Sequence, residues 1–288
     1  MKFVLSTSFN KIDEIKQLAV AAEQAGFGSI SFSDHVVNPE QLSTPYPYTD
    51  DGARRWPEFT EWPDIWVMIG ALSSITSTLR FSQNIFVLPE RNPFLVAKAI
   101  STAAVLSDNR VDLSVGVGWS ADEFKLLQQD FKTRGRRTDE MIAVMRKLWT
   151  GEYVEHHGEH YQFDRVEMNP APTEAIPLWI GGISTAALKR VARLDAGWLT
   201  DLQSSAEIID SIDQIHQFRA QQGLSGPFRV MATPNDAYEP NGYGRLADKG
   251  VSHILTQPWM MYFGPDATIE QKIESLFKFA DDVIQPMS

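Results

Sequence analysis

The 288-residue chain predicts an α/β fold, a (β/α)8 TIM barrel, on three observations. Short apolar strand patterns alternate strictly with helical periodicity, which implies a parallel sheet. Eight such units fit within fewer than ~300 residues, the usual size of a closed barrel. No linker or compositional break divides them, so the chain is read as one domain spanning 1–288.

The elements follow in order. Residues 2–8 (KFVLSTS) form the first strand pattern. Between Lys11 and Ala25, apolar residues recur at Ile12, Ile15, Leu18, Ala19 and Ala22, a helical spacing that Gly26 closes. Strand 28–33 follows, then helix 63–78 opening at Pro63-Asp64, strand 79–88, and helix 93–107 started by Asn92-Pro93. Strand 111–117 leads to helices over 120–131 and 136–149. The last four units pair strand 177–181 with helix 184–194, strand 197–200 with helix 205–222, strand 227–233 with a short helix 242–249, and strand 252–257 with helix 268–284. Two segments are surplus: a long loop over 34–62 after the second strand, and a hairpin-like insertion over 152–176 before the fifth. The first lies on the face where barrel active sites are built, and its aromatics (Tyr46, Tyr48, Trp56, Phe59, Trp62) suit a substrate wall.

Composition narrows the function. With 26 Lys and Arg against 37 Asp and Glu, the net charge of −11 argues against nucleic-acid partners. No apolar run approaches the ~18 residues of a membrane span, which points to a cytoplasmic protein. The absence of cysteine excludes thiolate metal sites and a Cys nucleophile. His156-His157-Gly158-Glu159-His160 has metal-binding residue types, but its order and its hairpin setting do not match a zinc helix, so no metal is expected.

Three motifs sit at expected strand tips. His35, following Ser33-Asp34, stands where a general acid or base belongs, although it could simply hydrogen-bond the loop. Gly116 and Gly118, flanking Val117, leave room for a flat ring or a close backbone. Gly181-Gly182-Ile183-Ser184 joins a strand to a helix N-terminus, which can receive a phosphate or can be plain turn chemistry.

Longer stretches, among them AEQAGFGSISFSDHVV at 22–37, LRFSQNIFVLPERNPFLVAK at 79–98, NRVDLSVGVGWSADEF at 109–124 and PLWIGGISTAALKRVARLDAGW at 177–198, carry a resemblance. The chain resembles the luciferase-like monooxygenase superfamily, particularly its branch of coenzyme F-420 (deazaflavin) dependent oxidoreductases. The resemblance covers about two thirds of the chain and weakens after residue 200. It implies a bacterial-luciferase-like barrel with F-420 or FMN at the C-terminal mouth, acting on a small-molecule substrate, and a homodimer. It places Asp34 and His35 beside the ring, Gly116, Val117 and Gly118 along it, and Gly181, Gly182, Ile183 and Ser184 around the phosphate. It also implies a non-proline cis peptide in the third strand, by register between Asn84 and Ile85, with Ile85 against the ring. Some relatives carry a Glu directly after the fourth-strand glycines; this chain has Trp119, which with Tyr46 and Tyr48 is read as substrate pocket. Arg54, Arg55 and Arg91 are the basic residues available for a deazaflavin's anionic tail. An FMN-dependent monooxygenase and a non-catalytic flavin-binding barrel remain open alternatives.

Overall fold

The computed structural model describes residues 1–287. Its strands are β1 (Lys2–Ser6), β2 (Ser29–Phe32), β3 (Arg80–Gln83), β4 (Phe86–Val87), β5 (Leu113–Gly116), β6 (Val154–His157), β7 (Gln162–Val166), β8 (Leu178–Gly181), β9 (Gly197–Leu199), β10 (Val230–Ala232) and β11 (His253–Thr256). All but β6 and β7 form one parallel sheet in the order β3-β2-β1-β11-β10-β9-β8-β5-β4. The third barrel strand is broken: β3 and β4 flank Asn84 and Ile85, whose peptide bond is cis. Phe81 closes the ring, donating to Arg110 O and accepting from Asp112 N, both at 2.8 Å. Where the break costs β5 a ladder partner, the buried Gln83 side chain substitutes: its Oε1 accepts from Ser114 N at 2.8 Å.

Strand alternation divides the apolar residues into two cores. Phe3, Leu5, Ile30, Phe32, Phe81, Leu113 and Val115 join the helices in the outer core. Val4, Trp179, Leu199, Met231 and Leu255 pack inside the barrel, with Ile85 against them. The helices are α1 (Ile12–Gln24), α2 (Ile65–Ser73), α3 (Pro93–Leu106), α4 (Ala121–Leu126), α5 (Arg134–Leu148), α6 (Thr185–Leu194), α7 (Ser205–Ala220), α8 (Pro240–Ala247), α9 (Pro258–Tyr262) and α10 (Ile269–Phe279), and their starts follow local chemistry. Asp64 caps α2 (Ile65–Ser73) by accepting from Trp66 N and Val67 N, and Asn92 caps α3 (Pro93–Leu106), with Pro93 at the first helical position.

Several boundaries differ from the sequence reading. Helix 63–78 shortens to α2 because Pro63 lies before its cap, and strand 227–233 shortens to β10. The short helix expected from 242 begins earlier, at Pro240. A turn of helix at Pro258–Tyr262, just past β11, was not expected from the sequence. The final helix runs over Ile269–Phe279 and then widens into a π-helical stretch, Ala280–Ile284. β6 and β7 form an antiparallel hairpin. Glu140 pins its tip, accepting from His160 N and Tyr161 N and meeting His156 Nε2 at 3.2 Å. Among the described residues no cluster of three His, Asp or Glu is positioned to hold a metal ion.

Candidate active site

Parallel strands deliver their C-terminal tips to one mouth, and His35 stands there just past β2. Its Nδ1 lies 2.8 Å from Glu123 Oε2. The other carboxylate oxygen, Oε1, accepts from Val36 N at 3.0 Å and Val37 N at 3.4 Å. Glu123 reaches the site from the first turn of α4 (Ala121–Leu126), where Ser120 is the cap. The His35 and Glu123 side chains are only 10% and 3% exposed. Because a carboxylate accepts, Nδ1 carries the proton of this contact, and Nε2 is the ring nitrogen left for a ligand.

Indole rings enclose the imidazole. Trp56 and Trp62 lie 4.8 Å from His35, centroid to centroid, and Trp119 lies at 6.2 Å. Tyr46 packs against both Trp56 and Trp119 and carries Tyr48 on its outer side. The loop over 34–62 therefore folds back as a wall over the strand tips. The Trp56 and Trp62 Nε1 atoms are buried donors with no partner among the described residues.

A second carboxylate layer lies beneath. Asp34 is buried, and its oxygens accept from Arg91 Nη1 and Nη2 at 2.8 and 2.7 Å and from Val87 N at 2.8 Å. Its carboxylate holds the broken third strand to β2. Next to Arg91 sits Glu90, 4% exposed. Burial pushes its carboxyl up to about 9, with the charges of Glu123 and Asp34 adding to the rise and Arg91 opposing it. Glu90 is therefore neutral at pH 7.

The glycine motifs converge on Ile85. A Cβ on Gly116 would come within 1.6 Å of Ile85 Cδ1, and one on Gly181 within 2.6 Å of Ile85 Cγ2. Gly118 has φ +79°, and a side chain there would strike Val87 and Phe124. Val117 and Gly118 lie just past β5. Asn84 is fixed through its backbone, its N donating to Phe32 O at 2.7 Å and its O accepting from Ser33 Oγ at 3.2 Å. Gly182 has φ +120° and is followed by the exposed Ile183; Ser184 Oγ accepts from Ala187 N to cap α6 (Thr185–Leu194). The structure thus gathers His35, Trp119, Tyr46 and Tyr48 into one group, and gathers Asn84, Ile85, Gly116 and Gly181 into a second, around the strand break. Glu123 and Glu90 complete the mouth without having been singled out, and Trp56 and Trp62 stand in it as part of the aromatic wall expected of loop 34–62.

The sequence profile described as luciferase-like monooxygenase matches residues 2–237. The chain belongs to that family. Among family relatives, an uncharacterised protein of Mycobacterium tuberculosis is 36% identical over 286 residues, covering 99% of both chains. An F420-dependent glucose-6-phosphate dehydrogenase of Nakamurella multipartita is 30% identical over 190 residues, 65% of this chain and 51% of that one. The solved coenzyme F420 dependent tetrahydromethanopterin reductase from Methanopyrus kandleri superposes with a TM-score of 0.78 at 14% identity, over 100% of this chain and 99% of the other, and so shares the fold.

Proposed function

We propose that the protein is an oxidoreductase that holds coenzyme F-420 or FMN at the C-terminal mouth and acts on a small organic substrate with a planar apolar face. The observation that carries this reading is the cradle around Ile85. Gly116 and Gly181 give up their side chains to that of Ile85, which the strand break seats half-buried at the strand tips, a surface on which a flat ring can rest. The helix start after Gly181-Gly182, with first-turn amides that have no intrahelical acceptor, suits the cofactor's phosphate. When bound, the cofactor supplies a ring that accepts or donates a hydride.

The chain's own residues do the rest. Glu123 fixes the tautomer and orientation of His35, leaving Nε2 to take or return a proton at the substrate or ring. Trp56, Trp62 and Trp119 exclude water and offer ring faces to an apolar substrate. The unpartnered indole N–H groups suit an acceptor oxygen on that substrate.

A specific observation keeps FMN level with F-420. Arg55 pairs with Asp201 and Arg91 with Asp34, which leaves only Arg54, held by Nη2 to Pro39 O and Glu40 O, for an anionic tail. The same reading includes a single-domain barrel and a homodimer through α2 and α3, whose Val67 and Leu95 are each 74% exposed. Light scattering at micromolar concentration is expected to give twice 32.4 kDa; a monomer mass ends the dimer reading. Stopped-flow spectra of the loaded protein with a panel of donors and acceptors test the activity. Cofactor that changes redox state and turns over supports an enzyme, and cofactor inert to every donor and acceptor supports a binding barrel.

A further inference from the structure

The opposite face of the barrel holds a separate cavity of about 250 Å³. Lys2, Ser29, Arg80 and His253, at the starts of β1, β2, β3 and β11, line it together with Asp112 and Arg229, which precede β5 and β10. All lie at N-terminal strand ends, remote from His35. Its carboxylates are two: Asp112, closed onto Arg80 at 2.7 Å, and the exposed Glu174 at the rim. Three cations therefore face two acids, in a chain whose net charge is −11.

Three of the uncommitted groups are donors, beside the rim carboxylate of Glu174 and one buried acceptor, Asn109 Oδ1. Arg229 makes no ion pair among the described residues and lies 4.6 Å over the Trp179 ring. Lys2 likewise has no carboxylate partner among them. Trp179 is 0% exposed, yet its Nε1 has no hydrogen-bond partner. His253 stacks edge-on against the same ring at 5.0 Å, with its Nδ1 already 2.8 Å from Ser252 Oγ. Guanidinium, ammonium and indole N–H groups cannot accept hydrogen bonds, so they satisfy one another in no arrangement. A ligand made of acceptor oxygens satisfies all three.

We infer that this cavity is a binding site for a small oxyanion, a carboxylate or phosphate, gripped by Arg229 and Lys2 with the Trp179 indole N–H. A guanidinium fork matches both oxyanions. The site is independent of the chemistry at the other mouth. Because it ties together the starts of several barrel strands, its occupancy stabilises the fold rather than assisting turnover.

The test is thermal unfolding of the full chain in inorganic phosphate, in succinate, and in sodium chloride at equal ionic strength. A saturable rise in Tm of about 3 °C at tenfold excess over Kd is expected with phosphate or succinate and not with chloride. Phosphate alone acting assigns a phosphate site; succinate alone, a carboxylate site. The rise is expected to vanish in Arg229→Gln and, should that variant fold poorly, in Lys2→Gln, where the side chain is exposed. A site-specific readout accompanies it. Burial, with the charges of Lys2, Arg229, the amino terminus and Arg80, holds His253 down to about 4, and an anion beside it raises that midpoint by about one unit in an NMR titration. No saturable rise with either anion, or an equal rise in Arg229→Gln, overturns the inference.

Discussion

At the C-terminal ends of the barrel strands the charged groups are spent on one another inside the protein, whereas at the N-terminal ends they face an open cavity. Asp34 is closed onto Arg91, Glu123 onto His35 and two backbone amides, and Glu90 is neutral beside them. At the other end Arg229 and Lys2 have no carboxylate partner among the described residues, and the cavity they line is open. The same strands thus carry one face whose charges are pre-oriented in pairs and one where Asp112 stands against three cations. Such a contrast teaches where chemistry and where simple recognition belong: a general acid or base needs a rigid partner in a dry setting, while an anion needs only unspent donors.

Replacing His35 is the strongest way to break the comparison. His35→Ala is expected to lower kcat by about 10²–10⁴-fold with the fold intact by circular dichroism, since an acid–base group contributes on that scale. Arg229→Gln is expected to leave kcat unchanged. Equal losses in both variants would erase the distinction between the two faces.

Next in size is the Ile85 cradle. Gly181→Ala puts a Cβ 2.6 Å from Ile85 Cγ2, an atom that moves only if the whole side chain rotates. A loss of about 1–3 kcal/mol in denaturant unfolding is expected from overpacking. In an Ile85→Ala background that loss is expected to disappear, because the clashing methyl is gone. An undiminished loss there would mean that Gly181 is small for another reason.

Glu90 gives a pH signature. Its carboxyl titrates near 9 in the folded protein against 4.5 ordinarily, so the folded state binds more protons between those values. Stability from this group is complete below pH 4.5 and falls as pH rises toward 9. Glu90→Gln keeps the neutral shape without the titration. Its stability advantage over the wild type is expected to grow from pH 4.5 upward, reaching about 3 kcal/mol at pH 7. A pH-independent difference between the two would place an ionised Glu90 in the native state.

Smallest is the positioning effect of Glu123. Glu123→Gln is expected to reduce kcat about tenfold, with KM nearly unchanged and the pH–rate profile displaced, because His35 loses its anionic partner but keeps a hydrogen bond. A change in KM alone would assign Glu123 to the loop rather than to the imidazole.

Periodicity and caps made the barrel legible: Asp64, Asn92-Pro93, Ser184 and the alternation of β1 and β11 each announce an element locally. The place of His35 was legible because the strand pattern of β2 ends just before it. Glu123 was not. Three residues after Ser120 it reads as half of a capping box, and its partner His35 lies 88 residues away. Arg91 and Asp34, 57 residues apart, hide their pairing in the same way. Glu90 follows an apolar strand run, and nothing local says that burial keeps it protonated. The direction in which loop 34–62 folds over the mouth depends on ring packing among Tyr46, Trp56, Trp62 and Trp119, which one-dimensional patterns do not encode. The gap in the third strand was reached through family resemblance; the Gln83 side chain that mends the ladder was not read from the sequence at all.

The most direct test of the central claim, that the mouth around Ile85 cradles a tricyclic cofactor beside His35, is an equilibrium binding titration of the apoprotein. F-420 and FMN are each titrated into the wild type and into Gly116→Val, whose side chain collides with Ile85 and displaces the surface on which the ring would rest. The account expects at least one cofactor to bind the wild type with micromolar or tighter Kd and to lose at least tenfold in the variant. Failure of both cofactors to bind the wild type, or equal binding by a folded Gly116→Val, would contradict it.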